Sequence, residues 1–103
     1  MLVMLNNSFL SIVENRKNKN ELLVRARIKG DIENIFNDVK TFQDEKADYK
    51  YCAFIPRDIV EKAIGSQVAS INYANFKGSI SHDDEMKHRA YMRVWSEMYK
   101  VQA

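Results

Sequence analysis

Apolar and polar residues alternate most cleanly between Glu21 and Lys29. There ELLVRARIK puts Leu22, Val24, Ala26 and Ile28 on one face of an extended chain. Leu23, Arg25, Arg27 and Lys29 fall on the other, which predicts a strand with one half-buried face. FLSIVE, Phe9 to Glu14, is rich in β-formers and predicts a strand before it. The polar NRKNKN between them, residues 15–20, reads as a turn, so the pair reads as an antiparallel hairpin. Gly30-Asp31 stops the pattern. Asp31 suits an N-cap, and Ile32, Ile35 and Phe36 follow at helical spacing, predicting a helix of about two turns. VKTFQ, residues 39–43, reads as a third strand and DEKAD as a turn.

DYKYCAFIP, residues 48–56, predicts a further strand, with Tyr49, Tyr51, Ala53 and Ile55 on one face and Lys50, Cys52 and Phe54 on the other. Pro56 suits a helix start, because its missing N–H has no helical partner to lose. Ile59, Val60, Ala63, Ile64, Val68 and Ile71 then form an apolar stripe, with Gly65 inside it. NYANFKGSI reads as a loop. Ser81 with Asp84 three residues on resembles a capping box, opening a last helix over about residues 82–101. Tyr91, Val94, Trp95, Met98 and Val101 line one side of that helix, as a core-facing stripe would. The order β-β-α-β-β-α-α predicts an α+β fold, an antiparallel sheet of three to four strands with helices packed on one face.

The 103-residue length fits one domain, read as residues 9–103 behind an N-terminal extension of residues 1–8. No apolar run approaches the length of a membrane span. The start of the chain has neither the basic region nor the cleavage site of a secretory signal. A single cysteine, Cys52, cannot form an internal disulfide, and a cytoplasmic setting is expected. Net charge is only +2, but it is unevenly spread. Residues 1–30 carry six basic and two acidic groups, and residues 31–48 carry two basic and six acidic. Non-specific nucleic-acid affinity should therefore be weak unless the fold gathers the basic groups together.

Arg25, Arg27 and Lys29 are the first candidates for function. Alternate strand residues stand about 6.5–7 Å apart, close to the phosphate spacing of a single nucleic-acid strand. Tyr49 and Tyr51, with the same period, would supply stacking rings on an adjacent strand. Three readings stand: a single-stranded nucleic-acid platform, a contact with an acidic protein surface, and a solvated outer face whose aliphatic stems cover the sheet. The tyrosines equally suit the core. In the last helix Met92 and Tyr99 widen the apolar arc beyond one face, which suggests a protein contact, either a homodimer or a host partner.

Catalytic chemistry finds no motif. There is no Gly-rich phosphate loop, nucleophile elbow or paired-cysteine zinc pattern. Asp84 and His88 share a helix face but lack a third ligand of matching pattern, so no metal and no cofactor is expected. Cys52, between aromatic residues, reads as a buried inert thiol.

The segments LLVRARIKGDIENIF, ADYKYCAFIPR, INYANFK and HRAYMRVWSEMY resemble a group of small bacterial and mobile-element proteins of about this length. The likeness runs from Phe9 onward and implies neither an activity nor catalytic residues. Small motif-free proteins of this kind are also similar to phage accessory proteins, among them the anti-CRISPR inhibitors of host defence. The expectation is a non-enzymatic binding protein that acts by stoichiometric contact, with Arg25, Arg27, Lys29, Tyr49, Tyr51, Met92 and Tyr99 as partner-binding residues. The alternative is a single-stranded nucleic-acid binder using the basic and aromatic sheet face.

Overall fold

The computed structural model describes residues 1–102. The chain forms two compact units, Met1–Ile71 and the remainder from Asn72 onward. The first holds five strands and one helix: β1 (Leu2–Met4), β2 (Phe9–Glu14), β3 (Glu21–Ala26), β4 (Phe42–Gln43), β5 (Tyr51–Pro56) and α1 (Arg57–Ala69). The second holds α2 (Phe76–Ser79) and α3 (Glu85–Gln102). The α+β class holds. The sheet is antiparallel throughout, in the order β1-β2-β3-β5-β4. It therefore has five strands rather than three or four, and the sequential order is five strands followed by three helices.

Alternation along the strands decides what is buried. Leu10, Ile12, Val24, Ala26, Ala53 and Ile55 share one face, and all are buried. Val60 of α1 covers that face together with Ile32, Ile35 and Phe36 from the β3–β4 connection. Ala63 and Ile64 pack at its margin. The rest of the α1 stripe is not core, since Ile59, Val68 and Ile71 are exposed.

Three departures from the sequence reading have local causes. The helix expected from Asp31 is a run of turns with only fragments of helical bonding, such as Phe36 N–H to the Ile32 carbonyl at 2.9 Å. Gly30 and Asp38 both take left-handed backbone, with φ of 95° and 62°, which leaves too few residues between them for a stable helix. The Asp31 carboxylate accepts the Phe9 N–H at 2.9 Å and anchors this connection to β2. Next, β3 stops at Ala26 rather than Lys29. Ala26 pairs with Leu10 and with Tyr51, the first residue of β5, so the chain beyond it has no flanking strand partners and bends. Finally, residues 1–8, set apart above as an extension, supply β1, whose Val3 packs against the core; the Met1 ammonium also donates to the Ile12 carbonyl at 2.9 Å.

In the second unit Asp84 itself caps α3. Its carboxylate accepts the Lys87 N–H at 3.1 Å and lies 3.6 Å from the buried Lys87 ammonium. The helix thus begins at Glu85, after the Ser81 turn, rather than at residue 82. The loop expected over residues 72–80 contains the single turn of α2, capped by Asn75 accepting from Lys77 N–H. Among the described residues, no helix is long and apolar enough to cross a membrane.

Candidate partner-binding surface

The outward face of the sheet carries the first group of candidate residues. Arg25 lies opposite Ser11 of β2 and Cys52 of β5. Its guanidinium donates to Ser11 Oγ at 2.8 Å, while its Nε is buried without a hydrogen-bond partner. Arg27 donates to the Asp48 carbonyl at 2.9 Å and to its carboxylate at 3.2 Å. The hydrogen bond to Asp48 raises the Arg27 pKa above its ordinary value. Both guanidinium carbons lie over the Tyr49 ring, at 4.6 Å for Arg25 and 4.1 Å for Arg27. Tyr49 is only 7% exposed. Lys29 does not join this cluster; it sits exposed in the turn after β3.

The two tyrosines part company. Residues 45–50 are turns and bends, so Tyr49 precedes β5 and the period of two does not extend to it. Tyr51, the first residue of β5, lies opposite Ala26 and packs against the core instead. The row of three cations beside two stacking rings is therefore not assembled. In its place is a closed knot of Arg25, Arg27, Tyr49 and Asp48.

Cys52 lies in the same neighbourhood and is buried. Burial pushes its thiol pKa up, and Asp44 adds to the rise, against a smaller downward pull from Arg25. A neutral, enclosed thiol is a poor nucleophile. Around the knot the outward face is apolar: Phe9, Val13, Leu23, Phe42 and Phe54 follow from the strand register. Phe42 and Phe54 are exposed, with ring centroids 5.4 Å apart.

The second group of candidates is on α3. Met92 is half-buried and lines an open depression of about 480 Å³ with Ser81, His82, Glu85, His88 and Arg89. Among the described residues, no three His, Cys, Asp or Glu side chains come together so as to hold a metal. Tyr99 is 60% exposed and stacks on Trp95, with ring centroids 5.5 Å apart. The stripe expected to be core divides along the helix. Tyr91 is buried against Phe76 of α2, at 5.8 Å between centroids. Val94 (42% exposed), Trp95 (50%), Met98 (61%) and Val101 (74%) remain open to solvent. Lys77 of α2 reaches 4.3 Å from the Trp95 ring centre and covers part of it.

Val94, Trp95, Met98 and Val101 depart from the core position that the sequence predicts for them. The helical spacing of Trp95 from Tyr91 and Met98 signals a shared face but not what covers it. The other signal was the pair Met92 and Tyr99, surplus to one stripe. Comparison with protein-family models, curated proteins and solved structures finds no match for this chain.

Proposed function

We propose that this protein is a non-enzymatic binding protein that works by stoichiometric contact with another polypeptide, through the apolar face of the C-terminal half of α3. The observation that carries the reading is the exposure of Val94, Trp95, Met98, Tyr99 and Val101 on consecutive turns of one helix. Scattered exposed apolar residues are ordinary, but a contiguous patch that includes Trp, Tyr and Met has the composition of a binding surface. A phage or mobile-element inhibitor of a host defence complex, of the anti-CRISPR kind, is a role consistent with a small chain that has no catalytic motif.

The basic sheet face supports this less than α3 does, because Arg27 spends its charge on Asp48 and Arg25 is tied to Ser11. The nucleic-acid alternative needs rings open to bases, and Tyr49 is buried.

The reading is tested by replacing Tyr99 with a photo-crosslinking amino acid in living cells. A discrete adduct with a polypeptide is expected. Adducts with nucleic acid alone, or no adduct at expression levels where the protein is plentiful, would overturn it.

A further inference from the structure

We infer that the polypeptide covering the α3 stripe is a second copy of this chain, with the two α3 helices packed antiparallel in a two-fold pair. The inference rests on the protein-binding reading above and makes a second copy, rather than a host protein, the polypeptide that the stripe binds. Three features of the helix point to it.

The first is spacing. Tyr91, Val94, Met98 and Val101 follow one another by three, four and three residues, the a/d rhythm of a helix that packs along another helix. The second is area. Val94, Trp95, Met98, Tyr99 and Val101 are 42–74% exposed. At roughly 150–250 Å² for each aromatic and somewhat less for the others, they leave on the order of 500 Å² open per chain. Two such faces together would bury on the order of 1,000 Å², the threshold of a specific interface.

The third is charge. A two-fold interface must be self-complementary, because each group meets its own kind across the axis. The helix residues of the open stripe carry no charge, and the one cation placed against it, Lys77 of α2, lies on the Trp95 ring at the N-terminal margin. The charges among residues 94–102 are Glu97 and Lys100, which pair with each other at 3.0 Å. From Met98 to Val101 like faces therefore meet without repulsion, while a strongly charged partner finds only Lys77, at the margin, to pair with.

Orientation follows from what is already covered. Phe76 and Lys77 occupy the N-terminal part of the seam, over Tyr91 and Trp95. The open part runs from Val94 to Val101, and an antiparallel pair centred on it sets Val94 of one copy against Val101 of the other and brings the two Met98 side chains together near the axis. This also opposes the two helix dipoles.

The experiment is sedimentation velocity of the full chain over a dilution series, alongside the emission of Trp95, the single tryptophan. A species of twice the 12.1 kDa chain mass is expected at high concentration. It should dissociate on dilution, with Trp95 emission moving to the red. Met98→Glu, which buries a charge in the pair, should raise the dissociation constant about 30-fold or more. Ser96→Glu, outside the stripe, should leave it unchanged and controls for added charge. A mass that stays monomeric at all concentrations would overturn the inference. So would a dimer that ignores Met98→Glu, or a dimer lost equally in Ser96→Glu. A monomer that still gives a Tyr99 photo-adduct with a different protein would end the self-pairing and leave the binding function standing.

Discussion

The guanidinium of Arg27 lies 4.1 Å from the centre of the Tyr49 ring while it donates to the carboxylate of Asp48, a residue adjacent to that tyrosine. One side chain beyond the end of β3 thus pins the segment that leads into β5. Its value is local order more than global stability: the ion pair is solvent-exposed, and exposed pairs contribute about 1 kcal/mol or less. Arg27→Ala should lower the unfolding free energy by about 1 kcal/mol, salt bridge and cation–π contact together. Tyr49→Ala removes a buried ring and should cost about 3–5 kcal/mol. Urea unfolding of the two variants checks both. Equal losses would show that the cation, rather than the ring, holds the segment.

Ile32 is fully buried, although it lies in a run of turns rather than in the expected helix. If the β3–β4 connection belongs to the core, Ile32→Ala should cost about 2–5 kcal/mol, as it would in a regular element. A loss below about 1 kcal/mol in urea unfolding would mark the connection as loosely packed.

These two cases show what is legible in the sequence. β-former content placed β2, and period-two alternation placed β3 and β5, each of them hydrogen-bonded along both edges by neighbouring strands. The alternation failed at Arg27, Lys29 and Tyr49, which lie just past the paired stretch, where nothing holds the backbone to that period. The apolar spacing of Ile32, Ile35 and Phe36 marked burial correctly but not helix, because so short a segment takes its conformation from the core it fills. On α3 the spacing of Tyr91, Val94, Trp95 and Met98 marks one face of the helix. Periodicity reports that residues share a side; it carries no information on what covers that side.

Cys52 gives the protein a pH signature. Its folded pKa is raised above the ordinary 9.0, first by burial and then by Asp44. The thiol therefore holds its proton in the folded state at a pH where the unfolded chain has released it. The sign follows from proton counting: with the folded state binding more protons, stability falls as pH rises. The contribution is fully present below about pH 9 and is lost as the pH climbs from there through the folded value. Urea midpoints measured from pH 7 to 10 should fall more steeply in the native chain than in Cys52→Ala. Parallel curves would mean that the thiol titrates normally. Labelling with a thiol reagent at pH 8 should also be slow until urea is added.

Asp84 is the first-turn anchor of α3, accepting the Lys87 N–H and facing a buried ammonium. Asp84→Ala should destabilise the helix start by about 0.5–2 kcal/mol, the range for a lost N-cap. Because the chain forms two compact units, the effect should be confined to the second. Amide hydrogen exchange should accelerate over the first turn of α3 and stay unchanged in β2, β3 and β5. Acceleration throughout the sheet would show that the two units unfold together. Asp84→Asn keeps an acceptor for the cap but not the charge, and it separates the capping bond from the pairing with Lys87.

The knot of Arg25, Arg27 and Tyr49 also reduces what the sheet face offers to a nucleic acid. Counterion release requires cations free to meet phosphates, and stacking requires an open ring. Arg27 already faces Asp48, Tyr49 is buried, and Lys29 is exposed in the turn after β3, away from the knot. Binding of a labelled single-stranded oligonucleotide at physiological salt should be no tighter than non-specific association, with a dissociation constant on the order of 10⁻⁴–10⁻⁶ M. Fluorescence anisotropy over a salt series checks this. Asp48→Ala frees Arg27 and should tighten binding if the knot is what masks the face. Tight binding by the native chain, lost steeply as salt rises, would mean that the knot opens in solution and that the sheet, rather than α3, carries the function.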